Sequence, residues 1–229
     1  PEVTMLGLGK LAAATAVVLF GANAALGGWA VISVENLPET LQAGSAYRME
    51  FTVRQHGEEP LSGLKPKVRF KGSSTSFDAA PAGPAGRYVA MIAVPDGERL
   101  KLVVESGWGR GRMAELTLMP IPILKRGQAL AAQRPADRGR HLFVAKGCGT
   151  CHINGDVPEF AAENESHKLG PDLTGRRLEA QYVRQRLTNP RSLPAIGDSP
   201  VRMPELGLAE AEVTALVALL SGPRESATH

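Results

Sequence analysis

The sequence predicts a multidomain chain made of an N-terminal transmembrane helix, an all-β sandwich and an all-α C-terminal region. Three observations carry that reading. Residues 5–27 are almost wholly apolar, apolar side chains recur with period two from residue 29 to 124, and beyond Pro135 the period becomes helical. The boundaries drawn from these shifts are 1–28 for the anchor, 29–124 for the sandwich, 125–135 for a linker and 136–229 for the helical domain.

The anchor rests on length and charge. Lys10 precedes the run Leu11-Ala-Ala-Ala-Thr-Ala-Val-Val-Leu-Phe20. As a helix, residues 5–27 would span roughly 34 Å, enough to cross a hydrocarbon core of ~30 Å and to contact membrane lipid. Lys10 is the one basic residue near the start, which places the N-terminus in the cytoplasm and the bulk of a single-pass cell-membrane protein on the periplasmic, extracytoplasmic side. The small-residue pattern Ala22-Asn23-Ala24 also fits a cleavable export signal, so both readings stand. Trp29 falls where an interfacial aromatic belongs, and equally where the first core residue of the next domain would sit.

In the β-region, Tyr47, Met49, Phe51 and Val53 alternate with Arg48, Glu50, Thr52 and Arg54, giving one apolar and one charged face. Leu100, Leu102 and Val104 repeat the pattern, as do Leu116 and Leu118. Further runs at 29–34, 67–71 and 87–94 are separated by turn clusters such as residues 79–86 and Pro95-Asp-Gly97. About six or seven short antiparallel strands in this length suggest an immunoglobulin-like sandwich without the internal disulfide. Met119-Pro120-Ile121-Pro122 is expected to end the last strand, because proline cannot donate to a ladder.

The 26 basic and 23 acidic residues are interspersed, with a net charge of +3, so no nucleic-acid footprint is visible. The chain has two cysteines, within Cys148-Gly149-Thr150-Cys151-His152. A structural zinc site would need two further ligands at metal spacing, and no second pair exists. Two thiols three apart can reach the two vinyl groups on one edge of a porphyrin, with the adjacent histidine placed to coordinate the iron. Around this pentad, 136–147, 178–188 and 208–220 read as helices, and the polar insert 154–168 reads as a surface loop.

Residues 135–222 resemble class I cytochrome c domains. The matching residues are Gly139 and Phe143, the pentad 148–152, Gly170-Pro171-Asp172-Leu173, Tyr182 with Asn189-Pro190, and Met203-Pro204. The resemblance implies an all-α domain with one covalent haem c on Cys148 and Cys151. It makes His152 the proximal and Met203 the distal iron ligand, with the Pro171 carbonyl accepting from the other ring nitrogen of His152. The chain departs from the pattern at Leu219, where an aromatic is more usual. Rival ligands read differently: His141 as a surface or helix-packing residue, His167 and His229 as solvated, Met113 and Met119 as strand-core residues.

Residues 29–120 also resemble FixH-like and YtkA-like β-domains, through Trp29-Ala-Val-Ile-Ser-Val34, Leu37-Pro38, Ala43-Gly44 and Phe51-Thr-Val-Arg-Gln-His-Gly57. A copper site there would have to use His56, Met49 and Met91, which read as turn and core residues. The basic excess lies in residues 29–134, with 14 basic against 10 acidic, and suits an acidic partner or anionic lipid as well as a solvated spacer. Together these readings predict a membrane-anchored mono-haem electron carrier, not itself an enzyme, with redox protein partners in a larger respiratory or photosynthetic membrane complex. The alternative is a structural or assembly subunit whose β-domain docks partners or handles copper.

Overall fold

The computed structural model describes residues 29–109, 111–129, 133–194 and 201–222. In chain order the strands are β1 (Ala30–Val34), β2 (Leu41–Gln42), β3 (Ala46–Gln55), β4 (Glu59–Pro60), β5 (Lys67–Phe70), β6 (Ser76–Pro81), β7 (Arg87–Ala93), β8 (Arg99–Leu100), β9 (Leu102–Glu105), β10 (Glu115–Thr117) and β11 (Ile121–Leu124). The helices are α1 (Pro135–Ala145), α2 (Pro158–Glu163), α3 (Ala180–Thr188) and α4 (Glu210–Ser221). One eight-stranded antiparallel sheet runs β1-β3-β7-β6-β5-β9-β10, with β4 paired to β3, and a small sheet runs β2-β11-β8. Within the small sheet β11 is parallel to β2 and antiparallel to β8.

Register explains the sheet's core. Met49, Phe51 and Val53 face inward with their partners Ala90, Tyr88 and Ile32, all buried. The charged alternates Arg48 and Glu50 sit on the other face and pair with each other. Tyr88, buried on the apolar side, satisfies its hydroxyl by donating to the Leu61 carbonyl at 2.8 Å and accepting from the Leu64 N–H at 3.1 Å.

Strand β1 is buried on both faces, which a sheet edge normally is not. Ala30, Ile32 and Val34 belong to the sheet core. On the alternate face, the Ser33 hydroxyl donates to the Lys146 carbonyl at 3.1 Å, and Val31 lies against Gly147. The helices therefore cover the edge that would otherwise offer unpaired backbone. Lys146, 2% exposed, is held at this seam by Glu212 at 2.8 Å and by the Glu35 carbonyl at 3.1 Å. Removing one partner of such a pair costs about 3–5 kcal/mol.

Among the helices, Pro135 opens α1, where its missing N–H costs nothing. Glu179 caps α3 by accepting from the Gln181 and Tyr182 N–H groups at 2.9 and 2.7 Å. Helices α1 and α4 cross at Gly139, where a Cβ would stand 2.3 Å from the Ala215 carbonyl oxygen.

These observations correct the predicted fold class. The chain is strand-rich, its sheet is a broad antiparallel one rather than an immunoglobulin-like pair, and the four helices do not form an independent all-α cytochrome domain. Buried residues of sheet and helices make one continuous hydrophobic cluster, from Phe51 and Leu102 to Phe143 and Leu216. The membrane placement is corrected as well. Among the described residues no helix is long and apolar enough to cross a membrane, and the span expected at 5–27 lies outside the described residues. The cell-membrane, N-terminus-inside topology and the periplasmic side assigned from it therefore have no structural support.

Two local expectations also change. The insert 154–168 is not a plain surface loop: α2 forms inside it because Val157 and Phe160, three apart, bury one face. Nor do the prolines end the strands: after β10 the chain leaves the eight-stranded sheet and joins the small one. Strand β11 follows, its Ile123 N–H donating to the Glu98 carbonyl at 2.8 Å while Pro122 donates nothing.

Candidate functional site

The cysteine pentad forms a tight turn directly after α1. Gly147, at φ +71°, turns the chain, and the N–H groups of Cys151 and His152 both reach the Cys148 carbonyl, at 3.2 and 3.0 Å. Both cysteines are free. Burial pushes the Cys148 thiol up to about 12, with Cys151 adding to the rise, and burial pushes Cys151 up to about 11. A dithiol used for exchange has its thiolate stabilised, and here the environment does the reverse.

His152 is fixed from two sides. Its Nδ1 lies 3.0 Å from the Pro171 carbonyl oxygen, so the proton sits on Nδ1 and the Nε2 lone pair remains available to a metal. Burial also lowers the pKa of the ring, keeping it neutral near pH 7. Gly170 lies so close that a Cβ there would be 2.4 Å from the ring's Cε1. The loop carrying Gly170 and Pro171 is stitched to the pentad by the Gly170 N–H to the Cys151 carbonyl at 2.9 Å and the His167 N–H to the Thr150 carbonyl at 2.7 Å. Gly149 is required in turn by Phe160, whose ring a Cβ would meet at 2.4 Å.

Cys148, Cys151, His152, Pro171 and Met203 line a single cavity of about 250 Å³, whose walls include Val31, Phe143, Leu173, Leu206 and Leu216. Arg176, Arg186, Arg191 and Arg202 also line it, giving an apolar pocket with cationic groups. Arg186 is already engaged, its guanidinium donating to the carbonyls of Pro190 at 3.4 Å and Pro194 at 2.5 Å and its Nε to the Tyr182 hydroxyl at 3.1 Å. Met203, half-buried, comes from the extended segment before α4.

The remaining sequence candidates lie elsewhere. His141 is half-buried in α1 with its pKa lowered by burial and by Arg138. His167 stacks on Trp29 at 4.3 Å between ring centroids, and His229 lies outside the described residues. The copper candidates do not converge. Met49 pairs with Ala90 on the buried face while Met91 pairs with Arg48 on the opposite face and is 55% exposed, so Met91 is not a core residue. Met113, 38% exposed in a 3-10 turn, is not a strand-core residue either.

The expectation of metal binding, placed at His152 and Met203, gains no support from a cluster of ligands. Among the described residues no group of three or more His, Cys, Asp or Glu side chains could hold a metal ion, so a bare ion has no cage here. Sequence reasoning missed Val31 as a cavity wall, and missed that the β3–β4 turn touches the methionine segment. The signal was present in the β1 pattern, apolar at 30, 31, 32 and 34 and so suited to burial on both faces.

No family model and no curated protein matches the chain. Among solved structures it is similar to the ZirS C-terminal domain, with 12% identity over 54% of this chain and 87% of that chain. The TM-score of 0.29 is too low to carry an argument about fold or function.

Proposed function

We propose that the chain carries one c-type haem, bound covalently through Cys148 and Cys151 and ligated by His152 and Met203, and that it passes single electrons between protein partners. The observation that supports this most is the His152–Pro171 contact at 3.0 Å, which leaves Nε2 available in the cavity that both thiols and Met203 line.

The residues present suit a porphyrin where they do not suit a bare ion. Such a group brings its own four equatorial nitrogens and supplies reversible one-electron chemistry, needing from the protein two thioether links and two axial ligands. Cys148 and Cys151, both free, would hold such a group through two thioether links. The Pro171 carbonyl orients His152 and strengthens it as a donor. The Met203 thioether would favour the reduced state of such a group and keep small molecules from it. Phe143, Leu173 and Leu216 exclude water, and the cavity's arginines offset the negative charge of the carboxylates such a ligand carries.

The test is an optical spectrum and redox titration of the purified protein, wild type beside Met203→Ala, with carbon monoxide added to each. A closed electron-transfer site shows a covalent haem adduct by mass, no carbon monoxide binding in wild type, and binding with a lowered potential in the variant. Carbon monoxide binding by wild type would point instead to an open, catalytic or sensing site, and absence of an adduct would end the proposal.

A further inference from the structure

Strands β3 and β4 are joined by a turn that reaches the methionine-bearing segment. His56 and Gly57 both have positive φ, +52° and +81°, and the Glu58 N–H closes the turn on the Gln55 carbonyl at 3.0 Å. That backbone is the mirror-image turn suited to hairpins, and Glu58 is exposed at its end. The Glu58 carboxylate accepts the Arg202 backbone N–H at 2.8 Å, one residue before Met203. Gly57 is buried, with its missing Cβ position 3.4 Å from Val31 Cγ2 and 4.0 Å from Pro204 Cγ, one residue after Met203. One turn of the β-sheet thus bonds to the residue before Met203 and lies near the residue after it.

We propose that this turn is a positioning element for the sixth ligand: Glu58 and Gly57 hold the Met203 segment so that the sheet, rather than the helices alone, sets how firmly the thioether is presented. The inference rests on the haem reading above. The segment from Val201 to Ala209 has no helix or strand of its own. Its backbone N–H groups depend on outside acceptors, and a charge-assisted bond from a rigid hairpin is the strongest kind available to it. Losing that bond raises the population in which the thioether has left the iron, without touching His152 or the thiols.

Three variants test this in the haem-loaded protein: Glu58→Ala, Glu58→Gln, which keeps an acceptor, and Met203→Ala as the open reference. The readouts are carbon monoxide binding rate, midpoint potential, the charge-transfer band of methionine-ligated ferric haem, and hydrogen exchange at the Arg202 amide. Glu58→Ala is expected to bind carbon monoxide about three- to tenfold faster than wild type, the shift that loss of one such bond commands. It should also have a lower potential and a faster-exchanging Arg202 amide, with Glu58→Gln close to wild type and thermal unfolding of both nearly unchanged. If Met203→Ala opens the iron while Glu58→Ala leaves rate, potential and band at wild-type values, the positioning role is overturned and the haem reading stands. If no haem is attached, or Met203→Ala changes nothing, both fall together.

Discussion

Gly147 lies directly beneath Ile32: a Cβ on Gly147 would stand 2.5 Å from the Ile32 carbonyl oxygen and 3.0 Å from Val31 Cγ1. The residue just before the cysteine pentad therefore has two reasons to be glycine, its φ of +71° and the backbone of β1. Gly147→Ala adds left-handed strain of order 1 kcal/mol to a clash with backbone that cannot rotate away. A loss of about 2–4 kcal/mol by urea denaturation is expected, with sheet and helices unfolding in one transition because the strained contact joins them. Two separated transitions, or a loss confined to the helical signal, would show that the seam carries little energy.

Gly139 makes the corresponding test for the helix crossing. An alanine in mid-helix normally gains up to about 1 kcal/mol over glycine. Here its methyl would meet the Ala215 carbonyl oxygen at 2.3 Å and Leu219 Cβ at 2.8 Å, so α1 and α4 must part. Gly139→Ala is expected to lower stability by about 2 kcal/mol or more, and the larger Gly139→Val by more again. A stabilised alanine variant in the same denaturation assay would mean the helices can slide apart freely.

Period-two patterning found β7 because it has one dry face, and helical spacing with a proline start found α1, whereas β9 is buried at Leu102, Val103 and Val104 alike. What it missed has physical causes. Strand β11 follows the very proline that argued against it, and a pairing only two residues long loses little when Pro122 lacks its N–H. Helix α2 was hidden by the polar residues around Val157 and Phe160. The pentad and Met203 were picked out by residue type and spacing, and the structure brings them to one cavity. The Glu58–Arg202 contact was not, since 144 residues separate the partners and a surface glutamate in a turn carries no pattern.

Glu163 sets an acid limit on the docking of α2. It accepts from Lys101 at 2.6 Å and Lys71 at 2.9 Å, and these hydrogen bonds, Lys101 first, hold its carboxyl at about 2. A folded pKa below the unfolded value of about 4.3 contributes stability that is complete above that value and lost as pH falls toward 2. The pair is partly solvated, so the contribution is of order 1 kcal/mol. Comparing wild type with Glu163→Gln by urea denaturation, the stability gap should be present at pH 6 and shrink on acidification toward pH 3. A gap that stays constant over that range would assign the difference to packing instead.

Asn164 ties the same segment to the sheet by a contact that depends on which atoms donate. Its Oδ1 accepts the Thr117 N–H at 2.7 Å and its Nδ2 donates to the Thr117 carbonyl at 3.0 Å, both buried. Asn164→Asp keeps the shape and replaces the donor with a second acceptor, so a carboxylate oxygen faces the Thr117 carbonyl. Burial and that carbonyl both raise the new group's folded pKa above the usual carboxylate range. The penalty, about 2–4 kcal/mol at pH 7, should therefore shrink as pH falls and the carboxyl gains a proton it can donate. Asn164→Ala, losing both bonds, should show no such recovery relative to wild type. Parallel pH profiles for the two variants would mean that the paired hydrogen bonds are not what fixes α2 to β10.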